Sequence, residues 1–222
     1  MPQQINKKIY KFLFLFLLLA SLNNKDFTNF ELPKIDRVNI LGFDSEKDNL
    51  IKNLEILKIR NLFFLKKNQI VELLDQNNLI ESYKVFKKYP ASLEISIIKT
   101  KFLAYINLNN KYYFLGSNGK LIETTDRSKK IPYIFGNLKI KQFFRLKETI
   151  NETNLNYKDI KNLFYFSSGR WDIELNSGIL LKLPKEQLKD SIELCLNLLN
   201  TKEFVNVKMI DVRQNNQVIT NE

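Results

Sequence analysis

Apolar residues run unbroken near the start of this chain, recur at helical spacing in later stretches, and alternate with polar residues between them. From Phe12 to Leu22 the sequence reads FLFLFLLLASL without a charge. A membrane-spanning helix wants about 20 such residues, whereas a signal-peptide core is shorter. The run therefore predicts either an anchor over 9–24 or a cleaved signal. Ala20-Ser21-Leu22 lacks a small-x-small cleavage pattern, and Lys11 can snorkel toward headgroups, which favours the anchor. Lys7, Lys8 and Lys11 precede the run. The positive-inside rule then makes 1–8 a short cytoplasmic tail and places everything after residue 25 outside.

Ile35–Leu41 reads as a strand closed by Gly42. Ser45 opens a helix with Asp48 three residues on, in a capping-box arrangement, and Leu50, Ile51, Leu54 and Leu57 form its apolar face. A second helix from Asn68 carries Ile70, Leu73 and Leu74. Tyr83 and Val85, then Leu93, Ile95 and Ile97, alternate along two strands that turn at Pro90-Ala91-Ser92. Strand, helix, helix, strand, strand makes a small α+β unit over 32–101.

Residues 102–219 read as a mostly antiparallel β-domain with flanking helices, so the fold class is α+β. Tyr112–Leu115 leads through the turn Ser117-Asn118-Gly119 to Leu121-Ile122, and a short segment runs from Ile131 to Gly136. A helix is predicted over Lys139–Ile150. Trp171, Ile173 and Leu175 pair with Ile179, Leu181 and Leu183 around Asn176-Ser177-Gly178, the clearest hairpin signal in the chain. Pro184 starts a helix that carries Cys195. The last strand is predicted from Val205 to Arg213, with an extension to Ile219.

Composition narrows the chemistry. The chain has no histidine and one cysteine among 222 residues. That removes His-based acid–base catalysis, His metal sites, intrachain disulfides and multi-Cys zinc clusters. Cys195 lies in line with Leu188, Ile192 and Leu199 at helical spacing and reads as a buried core thiol. The net charge of +11 raises nucleic acid and anionic lipid as partners, yet no run of five basic residues occurs. A solvated basic surface is the better reading, without nucleic acid as a partner.

Three patterns resemble catalytic or metal motifs. Ser117-x-x-Lys120 has the spacing of a Ser–Lys nucleophile, but Asn118-Gly119 between them predicts an exposed hairpin. Asp44, Glu46, Asp48 and Glu55 fall at calcium-loop spacing, but Asn49 occupies the position that needs Gly. Acids favoured by a helix dipole explain them better. Trp171, the one tryptophan, opens a strand and reads as sheet core rather than a ligand platform. No catalytic, metal or cofactor site is expected, and the chain reads as non-enzymatic.

In order and spacing, several segments resemble the bacterial cell-division family FtsQ/DivIB. Val38-Asn39-Ile40-Leu41-Gly42, Asn61–Leu65 and Tyr89-Pro90-Ala91-Ser92-Leu93-Glu94-Ile95 resemble its POTRA domain. Ser117–Ile122, Ile131–Gly136, Arg170–Leu175 with Gly178 and Leu183-Pro184, and Ile210-Asp211-Val212-Arg213 resemble its β-domain. The resemblance implies a scaffold of the division machinery in the inner membrane, single-pass, with its C-terminal domains in the periplasm. It implies recruitment of FtsB and FtsL, with FtsK, FtsW and FtsI as further partners. It also places the partner-binding site on the edge of the last strand, at Arg213, Gln214, Asn215, Asn216, Gln217, Val218 and Ile219. Gln214-Asn215-Asn216 replaces an aromatic, Gly-containing stretch found in some relatives. The alternative reading is a POTRA-bearing component of secretion or outer-membrane assembly.

Overall fold

The computed structural model describes residues 7–22, 33–43, 47–137, 139–201, 207–214 and 217–221. The chain divides into two compact units, residues 1–70 with 85–96 and residues 71–84 with 97–222.

Helix α1 covers Lys7–Leu22. Its 16 residues make it about 24 Å long. Where the sequence predicts a spanning helix over 9–24, no helix among the described residues is long and apolar enough to cross a membrane. Its large apolar side chains, from Ile9 to Leu19, are nevertheless all exposed.

The first unit holds strand β1 (Arg37–Leu41), helix α2 (Lys47–Leu54) and a 3-10 turn over Glu55–Ile59. Helix α3 (Lys67–Asp75) and strands β2 (Ile80–Lys88) and β3 (Ser92–Lys99), each of which crosses the division between the two units, complete the predicted order of elements. β3 is the middle strand, between β1 and β2. β1 pairs with it in parallel, from Arg37 opposite Ser92 to Leu41 opposite Ser96. Leu93, Ile95 and Ile97 are buried, as the period-2 pattern predicts, and Leu50 and Leu54 of α2 are buried too. Leu57, predicted on the α2 face, instead reaches the core from the 3-10 turn, which closes with Arg60 N–H donating to the Leu57 carbonyl at 3.0 Å. The loop after the turn is held by Asn61. Its Nδ2 donates to the Pro33 carbonyl at 3.1 Å, and its Oδ1 accepts the Phe63 N–H at 2.8 Å.

The second unit is built on a nine-stranded sheet in the order β12-β11-β10-β9-β8-β7-β4-β5-β6. Its strands are β4 (Phe102–Leu108), β5 (Lys111–Gly116), β6 (Leu121–Glu123) and β7 (Tyr133–Phe135). Next come β8 (Ile160–Tyr165), β9 (Trp171–Leu175), β10 (Leu180–Lys182), β11 (Met209–Asp211) and β12 (Ile219–Asn221). Most neighbours are antiparallel, but β4–β7, β7–β8 and β10–β11 pair in parallel. Helices α4 (Ile140–Asn151) and α5 (Leu188–Leu199) supply the crossovers for β7–β8 and β10–β11, while β4 reaches β7 through β5 and β6. Phe143, Leu146 and Ile150 of α4 and Ile192 and Cys195 of α5 share one core with Ala104, Ile134, Leu163 and Ile173 of the sheet.

The β4–β5 turn is Asn109-Asn110, both at positive φ (50° and 62°), the backbone that two-residue hairpins favour. On the side of the sheet away from the helices, Tyr105 is fully buried, and its hydroxyl accepts the Lys129 N–H at 3.1 Å. At the β6 end, Asn78 Nδ2 donates to the Leu121 carbonyl at 2.9 Å.

The C-terminal strand differs from its predicted bounds. β11 stops at Asp211, residues 202–206 lie outside the described residues, and the chain reverses before β12. The polar run Arg213–Gln217 has no alternating apolar pattern to extend a strand, and Gln217 N–H turns back to the Gln214 carbonyl at 3.4 Å.

Candidate functional site

β12 is the terminal strand of the larger sheet. It pairs antiparallel with β11, Asp211 opposite Ile219, Ile210 opposite Thr220 and Met209 opposite Asn221. Ile219, Thr220 and Asn221 are all exposed. Among the described residues no strand lies on its outer side, so this strand offers backbone groups to an incoming chain.

The predicted site residues fall around this strand in different roles. Ile219 opens it, 48% exposed, and Val218 before it is also exposed. Arg213 is held on Asp211. Its Nε lies 2.8 Å from Asp211 Oδ1 and 2.9 Å from Oδ2, and its Nη2 also bonds Oδ2. Gln214 lines two shallow grooves. One, of about 460 Å³, is shared with Arg170, Pro184, Arg213 and Ile219; the other, of about 420 Å³, with Leu194, Val212 and Val218. Gln217 lies on the second groove, and Asn215 and Asn216 lie outside the described residues. The site residues missed from sequence are Thr220 and Asn221 of the edge strand itself. Three polar or mixed residues give no strand signal on their own; only the register with Met209–Asp211 defines them.

Charge beside the edge comes from register. Lys182 of β10 stands opposite Asp172 of β9 on one side and Asp211 of β11 on the other. Both acids are buried, at 4% and 6% exposure. Their environments push them in opposite directions. The hydrogen bonds from Arg213 hold the Asp211 carboxyl below its ordinary value. Burial raises that of Asp172, against the pull of Arg170, Arg213 and Lys182. Arg170 Nε sits 3.9 Å from Asp172 Oδ1, and neither atom has a hydrogen-bond partner. The Arg170 guanidinium instead stacks 4.2 Å over the Phe166 ring.

These opposed shifts give a test. Asp211 adds stability at neutral pH that is lost as pH falls through its lowered value; Asp172 subtracts stability once pH rises through its raised value. Asp211→Asn is expected to cost about 1–2 kcal/mol, because the charge-assisted bonding to Arg213 is weakened in a partly solvated setting. Asp172→Asn is expected to leave stability unchanged or raise it. Thermal melts of both variants at pH 7 check this, and equal losses would contradict the assignment.

The other sequence candidates resolve structurally. Ser117 and Lys120 sit on a half-buried turn rather than the exposed hairpin predicted, because that turn is bonded to residues 75–81. Ser117 Oγ donates to Glu81 Oε2 at 2.6 Å, while Lys120 Nζ donates to the Asp75 carbonyl at 2.6 Å, so the two do not pair as nucleophile and base. Trp171 is buried, 4.8 Å from the Tyr165 ring. Cys195 is buried, and burial pushes its thiol up to about 12. Asp44, Glu46 and the Asp48 side chain lie outside the described residues. Among the described residues no group of three acids or cysteines could hold a metal ion.

Comparison with known proteins places matches on both units. Residues 104–213 match the family model "Cell division protein FtsQ/DivIB, C-terminal", and residues 34–98 match "POTRA domain, FtsQ-type". Cell division protein DivIB of Clostridium botulinum is 24% identical over 93% of this chain and 86% of its own length. Cell division protein FtsQ of Rickettsia bellii is 22% identical over 83% of this chain and 70% of its own. Among solved structures, the major extracytoplasmic domain of DivIB from Geobacillus stearothermophilus, in its trans isomer, aligns with a TM-score of 0.35. It is 16% identical, over 46% of this chain and 98% of that one.

Proposed function

Since this chain belongs to the FtsQ/DivIB family of bacterial cell-division proteins, we propose that it is a non-catalytic scaffold of the division machinery that recruits FtsB- and FtsL-like proteins by adding a partner strand to β12. Its role in division and its having division-protein partners follow from the family. The observation that carries the finer reading is the exposed terminal strand Ile219–Asn221, unpaired on its outer side among the described residues. Strand addition draws affinity from main-chain hydrogen bonds and selectivity from side-chain pockets. The grooves beside Arg213, Gln214 and Ile219 offer such pockets. We assign the recognition surface to Arg213–Ile219 together with Thr220 and Asn221.

In the same reading, residues 32–101 form a POTRA-like domain, 102–219 the β-domain and 1–8 a cytoplasmic tail. The segment 9–24 anchors the chain in the inner membrane with the two domains in the periplasm. Support for the anchor comes from α1, apolar on every face and exposed from Phe12 to Leu19, the pattern of a helix that seeks an apolar surrounding. At 16 residues it falls short of a hydrocarbon core about 30 Å thick; Lys8 and Lys11 extend its reach by snorkelling.

The test is co-purification of the full-length chain with the FtsB- and FtsL-like proteins of its own organism. Wild type is expected to retain them, and Thr220→Pro to weaken capture about ten- to hundredfold, the effect of losing one to three kcal/mol of ladder bonding. Unchanged capture by a folded Thr220→Pro protein would place the site elsewhere.

A further inference from the structure

We infer that the loop 56–67, with Tyr89 packed on it, is a second membrane contact that seats the first unit on anionic lipid headgroups, an inference that rests on reading α1 as the anchor. This segment divides its apolar residues between core and solvent. Leu57, Leu62 and Leu65 are buried to 3% exposure or less, whereas Ile56, Ile59, Phe63 and Phe64 are 51–75% exposed. The Phe63 ring lies 4.7 Å from that of Tyr89, itself more than half exposed. A protein surface rarely offers so many large apolar groups together without a surface to meet.

Charge decides which surface. Lys58, Arg60, Lys66 and Lys67 interleave the exposed apolar residues, and the sequence from Ile56 to Lys67 holds no acid. All four are exposed. Glu55 at its border pairs with Lys58 at 3.5 Å, and Glu94 pairs with Lys88 beside Tyr89. Aromatic rings among lysines and arginine suit the headgroup layer of an anionic bilayer, where rings sit at the apolar boundary and cations meet phosphates. An apolar groove on a protein partner would leave Arg60, Lys66 and Lys67 without counter-charges.

The covalent path places this loop near the membrane. Asn61 holds the Pro33 carbonyl and forms a bridge with Lys34, the first described residues after α1. The eleven steps from Leu22 to Pro33 span at most about 40 Å when fully extended. A tethered patch needs little intrinsic affinity, because the anchor supplies a high effective concentration. The loop is also pre-formed. Phe63 N–H is held by Asn61, and Lys87 Nζ donates to the Leu65 carbonyl at 2.8 Å, so ordering it on the bilayer costs little.

The test uses the full chain in vesicles. Cys195 is buried with a raised thiol pKa, so an added Asn68→Cys takes an environment-sensitive label selectively, with Ser177→Cys in the other unit as control. In vesicles with about 30% phosphatidylglycerol, headgroup-bound quenchers are expected to dim the Asn68→Cys label at least threefold more than in phosphatidylcholine. The difference should vanish in about 1 M salt and in the Phe63→Ser/Phe64→Ser double variant, whose exposed changes spare the core. Equal dimming at both labels, or dimming untouched by the double variant, overturns the inference. So does a signal that arises only when partner proteins are added, which would assign the patch to a protein. A chain that floats with vesicles while its label stays silent refutes the patch alone. A chain that fails to float refutes the anchor.

Discussion

Gly136→Ala is expected to destabilise the larger unit by about 3–4 kcal/mol, because two independent penalties meet at this residue. Gly136 follows β7 with φ at +106°, a backbone conformation that an L side chain rarely adopts. A Cβ built there would sit 2.0 Å from the Tyr165 carbonyl oxygen of β8. Backbone cannot rotate out of the way as a side chain can, so β7 and β8 must separate. Their parallel pairing, Phe135 opposite Phe164, then suffers together with the rings of those residues, which stack at 5.2 Å. Gly178→Ala makes the comparison. It has a similar φ of +88° but nothing within 4 Å of its Cβ, so only conformational strain applies, about 1 kcal/mol. Urea unfolding of both variants separates the terms. At about 2–4 °C per kcal/mol for a chain of this size, Gly136→Ala should also melt roughly 6–16 °C low. Equal losses at the two sites would mean that β7 and β8 can part without cost.

Phe143→Ala is expected to cost about 3–5 kcal/mol, the range for removing a large side chain from a closed core. Phe143 has no exposed surface and belongs to the core shared by α4, α5 and the sheet. Its ring meets that of Phe144 edge-on at 5.6 Å. Leu146 and Ile150 follow on the same face of α4, buried to 1%, so the helix cannot slide to fill the void without exposing them. Phe143→Leu keeps much of the volume and should recover more than half of the loss. Phe144→Ala, half-buried beside it, should cost about 1 kcal/mol. If Phe143→Ala and Phe144→Ala prove equal in denaturant titrations, α4 is held by something other than the burial of this face.

Period and punctuation made much of this fold readable in advance. Leu93, Ile95 and Ile97 could be assigned to one buried face because alternation survives in a strand with a wet side. The Trp171–Leu175 hairpin announced itself through Asn176-Ser177-Gly178, where Gly178 takes the positive φ that the turn needs. Cys195 could be placed in the core because its helix keeps a 3.6 period. The β4–β5 hairpin was harder to read. Asn109-Asn110 is a turn pair of the right kind, but Tyr112 and Tyr113 in succession blur the alternation around it. Ile160–Tyr165 gave little sign of a strand, since Phe164 and Tyr165 place an aromatic on each face in turn. The candidate edge was readable only by resemblance. Its backbone availability depends on where strands stop, and residues 212–218 carry no periodic signal that marks the reversal. The opposed states of Asp172 and Asp211 were equally hidden, because they arise from cross-strand register between segments almost forty residues apart.

The two ends of the nine-stranded sheet are unequal, and this bears on stoichiometry. At β6 the Leu121 carbonyl is already taken by Asn78, while β12 at the far end has no neighbour on its outer side among the described residues. Copies of a sheet can join end to end into a filament only if both ends accept strands. Here one end is partly occupied, and the other, unpaired among the described residues, is only three residues long, too short to hold a second bulky sheet by backbone bonds alone. If a partner strand adds to β12 as proposed, this asymmetry favours a single slender guest over end-to-end self-association.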